Sequence, residues 1–215
     1  MRMRRKKNLD TRLEQCNGFW EKEPEKQKGR WLKNREETAL HLEIGCGKGR
    51  FTRETAAENK TALLIAIERE QNVLCIAMER ARDQGLTNLL FVDGDAAKLP
   101  ELFEVGEVSR IYLNFSDPWP GRRHEKRRLS APGFLERYQK ILVPGGEIHM
   151  KTDNRPLFEY SIAQFLACGY ELEQVTFDLH HAGPCGVMTD YEQKFYEQGT
   201  PICRCVARWN GATHD

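Results

Sequence analysis

Five short apolar runs, each closing on glycine or a polar residue, constrain this chain more than anything else in it. They fall at residues 39–45 (ALHLEIG), 62–68 (ALLIAIE), 88–94 (NLLFVDG), 110–116 (RIYLNFS) and 146–152 (GEIHMKT). Runs of this length and apolarity read as strands buried on both faces. Between and after them, residues 51–59, 71–84, 132–142 and 157–168 place apolar side chains at three- and four-residue spacing, the period of an amphipathic helix. Strand and helix in alternation predict a mostly parallel, doubly wound α/β sheet with helices on both faces. The pattern breaks after the last helix. Residues 171–179 (ELEQVTFDL) and 201–209 (PICRCVARW) are strand-like with no helix-length crossover between them, and are expected to pair at the sheet edge.

At 215 residues, 40% of them hydrophobic, the chain can bury one sizeable core. No composition shift marks a second one. We expect a single domain over residues 36–215, preceded by a basic arm over residues 1–35 that is polar enough to be partly disordered without a partner. The 33 basic and 32 acidic residues leave a net charge of +1, so a nucleic-acid partner has to be argued from clustering. Residues 1–7 (MRMRRKK) carry five basic residues and no acid, and residues 122–128 hold five against Glu125. No apolar run reaches the ~20 residues of a membrane span, and the arm lacks the apolar stretch of a secretory signal, which points to a cytoplasmic protein. Seven cysteines include no C-x-x-C pair. That usage fits reduced thiols rather than a disulfide framework or a zinc site, and no metal is expected. Cys203 and Cys205, two apart on a strand, should face the core together.

In such a sheet, ligands bind outside the carboxyl ends of the strands. The stretch EIGCGKG puts Glu43 at the end of the first strand, followed by Gly45, Gly47 and Gly49, where a tight turn lets backbone approach a ligand. The spacing departs from the dinucleotide fingerprint G-x-G-x-x-G, because the third glycine stands at 49 and Arg50 holds its place. Glu68 ends the second strand 23 residues after Gly45, near the ~20-residue offset of a ribose-binding acid. Asp95 follows the third strand, placed to meet an adenine edge, and Asp117 ends the fourth. Singly, each acid fits a solvated loop equally well. Four in register describe a pocket ringed by carboxylates, which suits a cationic ligand and would repel a pyrophosphate.

The stretch NFSDPWPGRRHEKRRL, residues 114–129, joins the acid of the fourth strand and two prolines to the second basic run. The acid, first proline and aromatic of SDPWP are similar to those of the acid–proline–x–aromatic signature of methyltransferases acting on exocyclic amines of nucleic-acid bases. A basic run is most often a solvated helix face. Here it lies within a few residues of the presumed transfer centre, where phosphates must come if a base is to enter.

The order of glycine loop, ribose acid, adenine-side acid and strand-four acid resembles the class I S-adenosylmethionine-dependent methyltransferases, a Rossmann-like fold whose seven-stranded, mostly parallel sheet has an antiparallel edge strand. More closely, LEIGCGKG, YLNFSDPWP, RHEKRRL, KTDNRPLFEYS and TDYEQKFYEQGTPI together resemble the bacterial tRNA (guanine-N7-)-methyltransferase family over nearly the whole chain. That resemblance implies S-adenosylmethionine as cofactor and N7 of a variable-loop guanine in tRNA as methyl acceptor. It implies that Glu43, Gly45, Gly47, Gly49, Glu68, Asp95 and Asp117 line the cofactor site, with Asp117 also the catalytic acid. Asp153 and the TDYE stretch, with Thr189, Tyr191 and Glu192, would hold the substrate, and Arg123, His124, Lys126, Arg127 and Arg128 would meet RNA. The family usually has lysine directly after DPWP, where this chain has Gly121, and Arg122 is the neighbouring cation expected to serve. A monomer or homodimer without an obligate protein partner is the assembly expected.

Guanine N7 carries an in-plane lone pair and no proton, so its methylation needs positioning rather than prior deprotonation. A carboxylate such as Asp117 would steady the base and favour the positive charge it gains. The six histidines need not include a base, and Cys46 reads as a small residue beside the cofactor. Guanine differs from adenine by its N1 and N2 donors, which Glu192 with Asp153 or Asp117 is expected to accept. In the competing reading TDYE is a helix start, with Thr189 as N-cap and Glu192 completing a capping box. Three other functions stay in view: exocyclic-amine methylation, RNA binding without catalysis, and nicotinamide oxidoreduction, the last disfavoured by the glycine spacing and the acids.

Overall fold

A computed structural model describes residues 7–211. Seven strands form one sheet: β1 (Ala39–Ile44), β2 (Ala62–Glu68), β3 (Leu89–Asp93), β4 (Val108–Asn114), β5 (Leu142–Thr152), β6 (Tyr170–Thr176) and β7 (Cys203–Trp209). The helices are α1 (Leu9–Glu14), α2 (Arg50–Glu58), α3 (Gln71–Arg82), α4 (Leu99–Leu102), α5 (Pro132–Ile141), α6 (Arg155–Ala167) and α7 (Asp190–Glu197). The strand order is β3-β2-β1-β4-β5-β7-β6, with β7 alone antiparallel and inserted between β5 and the outermost strand β6. The order reverses between β1 and β4, which opens the crevice where a ligand is expected.

The strands expected to be buried on both faces divide into two kinds. β2 is: Leu63, Ile65 and Ile67 join one core and Leu64 and Ala66 the other. From β1 to β7 the sheet is apolar on one face only. Leu42, Ile111, Ile148 and Cys205 pack with α5 and α6 residues such as Tyr138, Phe158 and Phe165. Their neighbours on the opposite face are His41, Glu43, Arg110, Tyr112, Glu147, His149, Lys151 and Arg204, which meet one another across the registered pairs. Several of these polar groups are satisfied around Glu147, which pairs with Arg110, His149 and Arg208 of β7, each at 2.8 Å. Cys203 and Cys205 both lie in the core cluster, as their spacing indicated.

The arm expected over residues 1–35 lies folded against the sheet from residue 7 onward. Leu9, Leu13 and Cys16 are buried in the α3-side core, and Arg12 forks onto Glu79 at 2.7 and 2.6 Å. Residues 19–21 bridge to Phe91 outside β3, and Trp31 donates to the Leu102 carbonyl at 3.0 Å and stacks on Phe103. A handful of large apolar residues within polar sequence is enough to dock this segment. Of the basic cluster at 1–7, only Lys7 lies inside the described residues.

Candidate active site

A cavity of about 650 Å³ opens at the β1/β4 switch point, lined by Gly45, Glu68, Asp95, Asn114 and Asp117 among others. The glycine loop above it is internally satisfied: Gly45 and Cys46 donate to the Ile67 carbonyl, Gly49 to that of Cys46, and Gly47 to Glu68 Oε2 at 3.1 Å. Four of the loop amides are thus engaged within the protein, and the Gly47 amide is held by the carboxylate of Glu68, whose negative charge suits a cationic ligand better than a pyrophosphate. Gly45 (φ +78°) faces open space on the cavity, whereas a Cβ on Gly49 (φ +71°) would stand 2.8 Å from that of Ala77. Gly49 thus serves the close packing of α2 on α3.

The four acids are held differently. Glu68 lines the cavity, with Oε1 accepting from the Glu70 amide at 3.0 Å and lone pairs left for a ligand. Asp95 caps the short turn at Ala96–Lys98 through the Ala97 amide at 2.8 Å and is exposed. Glu43 lies beneath the cavity, fully buried, accepting from the Thr52 hydroxyl and from Asn114 Nδ2 at 3.1 Å. Burial pushes its carboxyl up to about 7 despite those two donors. Glu43 acts through Asn114, which does line the cavity, and attention to acids alone missed that residue. A polar side chain ending an apolar strand was the available signal.

Asp117 is 68% exposed, with Arg69 Nη2 3.9 Å away across the cavity mouth. Its turn is strained: Phe115 (φ +52°) and Trp119 (φ +43°) are both left-handed, a conformation aromatic residues adopt at a cost of about 1–3 kcal/mol each. The clamp that holds the turn is Arg128, which donates to the carbonyls of Pro118 at 3.0 Å and Trp119 at 3.2 Å and lies over the Tyr160 ring at 4.3 Å. Arg128 was expected to meet RNA, but two of its donors are engaged on backbone, Nη1 lies 3.8 Å from Glu125 Oε1 and its side chain is 13% exposed. The rest of the basic run forms a 3-10 turn, Arg122–Arg127. Arg122, Arg123, Lys126 and Arg127 are exposed; Arg127 stacks on Trp119 at 4.8 Å, and Lys126 and Arg127 reach the cavity rim. His124 accepts from Arg123 Nε at 3.0 Å.

On the substrate side, Asp153 is exposed in the loop after β5, and Tyr191 is 66% exposed on α7. Asn114 and Lys151 are register partners, so Asp117 and Asp153 follow adjacent strand ends. Glu192 is not with them. Its carboxylate is 0% exposed and accepts from Lys151 Nζ at 2.9 and 3.1 Å, His180 Nε2 at 3.0 Å and the Thr189 amide at 3.3 Å. His180 Nδ1 accepts from the Cys185 amide at 3.2 Å, which leaves Nε2 as the donor to Glu192. Thr189 completes the capping box by accepting from the Glu192 amide at 2.9 Å. With its lone pairs occupied and no open face, Glu192 cannot read a base edge in this arrangement, so its expected role as guanine reader is withdrawn. Among the described residues no group of histidine, cysteine and acidic side chains is placed to hold a metal, and no helix is long and apolar enough to cross a membrane.

A carboxylate-rimmed cavity at the switch point of this seven-stranded sheet defines a class I S-adenosylmethionine-dependent methyltransferase. The fold is shared with a solved 16S rRNA methyltransferase, KamB, at a TM-score of 0.62 and 15% identity, covering 81% of this chain and 89% of that one. A family model described as "Putative methyltransferase" matches residues 37–205. Two curated proteins called tRNA (guanine-N(7)-)-methyltransferase align almost end to end. That of Bacillus velezensis is 42% identical over 97% of each chain, and that of Streptococcus mutans 44% identical over 97% of this chain and all of its own. The chain belongs to the tRNA (guanine-N(7)-)-methyltransferase family.

Proposed function

We propose that this protein methylates N7 of a guanine in the variable loop of tRNA. The observation that carries the reading is the turn after β4, which sets Asp117 on the cavity mouth with Lys126 and Arg127 on the same rim. S-adenosylmethionine, when bound, supplies an electrophilic methyl group on a sulfonium centre. Glu68 and Asp95 are the acceptors for its ribose and adenine donors, and Asn114, held by Glu43, faces the same cavity. Asp117 and Asp153 are the exposed carboxylates that meet the guanine, and Tyr191, exposed on α7, is the aromatic side chain offered to the ring. N7 needs no base, so these side chains orient the ring and favour the charge it acquires. Arg122, Arg123, Lys126 and Arg127 meet phosphates.

Transfer of label from S-adenosylmethionine to unmodified tRNA, followed by nucleoside analysis, tests the proposal. N7-methylguanosine should be the sole product, and Asp117→Asn should lose turnover while still binding cofactor. A methylated exocyclic amine as product, or undiminished turnover by Asp117→Asn, would refute it.

A further inference from the structure

A second set of cations lies on the face of the sheet opposite the Arg122–Arg127 turn. Helices α2 and α3 contribute Ala56, Leu74 and Met78 to the core that holds Leu64 and Ala66, whereas α5 and α6 contribute Leu135, Tyr138 and Phe158 to the other. The basic turn stays with α5 and α6: Arg128 lies over Tyr160, and Phe134 lines the cavity with Lys126 and Arg127. On the α2 side, Lys48 is exposed in the glycine loop, and Arg50 and Arg53 stand about one turn apart on α2. Arg80 of α3 donates to the Lys48 carbonyl at 3.4 Å and Arg53 Nε to that of Gly49 at 3.1 Å, so all four gather at one loop.

Two carboxylates answer these four cations. Glu54 pairs with Arg50 at 2.9 Å and Asp190 with Arg80 at 3.3 Å, both pairs open to solvent, where such contacts contribute little. Lys194 and Glu197, exposed on α7, offset one another. Lys48 and Arg53 make no ion pair among the described residues, and the two Nη groups of Arg53 have no hydrogen-bond partner there. Burial first, then repulsion from Arg80, holds the Arg53 guanidinium below its ordinary pKa despite Glu54 and Asp190. Helix α7 joins this cluster to the reaction turn: Asp190 and Gln193 meet Arg80 and Arg50, and Phe195 stacks on Phe115 at 5.9 Å. Its eight residues are about 12 Å long, which sets the cluster close beside Asp117.

We propose that Lys48 and Arg53, flanked by Arg50 and Arg80, form a second contact surface for the tRNA backbone. The inference rests on the function proposed above and extends it. A nucleotide inside a chain carries a phosphate on either side, so a base seated in the cavity mouth leads backbone away from it in two directions. Lys126 and Arg127 take one flank of the mouth and this cluster takes the other. The two Nη groups of Arg53 match a phosphate bidentately, and Lys48 adds a point charge.

The test measures affinity for unmodified tRNA against salt concentration in the parent, Lys48→Gln/Arg53→Gln and Lys126→Ala/Arg127→Ala, with N7-methylguanosine formation followed in parallel. Losing two phosphate contacts should lower the salt slope of Lys48→Gln/Arg53→Gln by about 1.4–1.8, and combining both pairs should lower it by the sum. S-adenosylmethionine affinity, read by calorimetry, should stay at the parent value, because neither Lys48 nor Arg53 lines the cavity. Should the pair lower the melting temperature, Lys48→Gln alone, an exposed side chain without an ion pair among the described residues, should still reduce the slope by about 0.7–0.9. A parent that forms N7-methylguanosine while both Lys48 variants keep the parent slope overturns the surface and leaves the function standing. A slope that falls only together with cofactor affinity overturns it as well. A parent that transfers no methyl group to tRNA overturns the function proposed above, and this surface with it.

Discussion

Replacing Glu192 by glutamine should cost far more stability than losing a helix cap. Had the residue only completed the capping box, its loss would remove about 0.5–2 kcal/mol. In the structure it is 0% exposed, and the Lys151 side chain that it neutralises is 11% exposed. Removing one partner of a buried ion pair leaves the other charge uncompensated, at about 3–5 kcal/mol. Glutamine keeps the shape and one acceptor, so the lower end applies, about 3 kcal/mol, or a fall of about 6–12 °C in Tm for a chain of this size. Urea and thermal denaturation of Glu192→Gln, Lys151→Met and the double variant measure this directly. The double variant buries no charge and should recover much of the loss, giving a large coupling energy in the cycle. If Glu192→Gln loses no more than the roughly 1 kcal/mol of a cap, or the two losses simply add, the ion pair does not govern this site. A substrate role for Glu192 would then be open again.

Three further outcomes follow from the same geometry. Glu43 has a folded pKa of about 7 against an ordinary 4.5, so its contribution is fully present below 4.5 and is lost as pH rises through about 7. Glu43→Gln should therefore outlast the parent in denaturant above neutrality, by roughly 1.4 kcal/mol for each unit of pKa elevation, and lose that margin in mild acid; equal margins at both pH values would refute the buried charge. Gly49→Ala should destabilise by about 1–3 kcal/mol through overpacking and backbone strain, whereas Gly45→Ala should chiefly weaken cofactor affinity, both read by melting and calorimetry. Lys126→Ala and Arg127→Ala should each lower the salt slope of tRNA binding by about 0.7–0.9, while Arg128→Ala should leave that slope unchanged and reduce kcat by freeing the Asp117 turn.

What the sequence determined by itself is whatever neighbours in the chain can settle. A strand and the residue that ends it are contiguous, and parallel strands put all those ends on one edge, so Glu68, Asp95 and Asp117 were legible as rim acids before any coordinates. The same holds for the Thr189–Glu192 capping box, whose partners are three residues apart. Tertiary structure decided how each polar group is spent. Lys151 meets Glu192 across 41 residues, and Arg128 reaches back ten residues to the Pro118 carbonyl, so neither engagement leaves a local trace. Strands β4, β5 and β7 present charge on one face because partners on neighbouring strands compensate it, and residues 7–35 dock because a few buried side chains outweigh their polar surroundings. A charge in water, in a ligand's path and against a buried counterion looks the same in sequence. Desolvation energy separates the three, and it depends on what the fold places opposite.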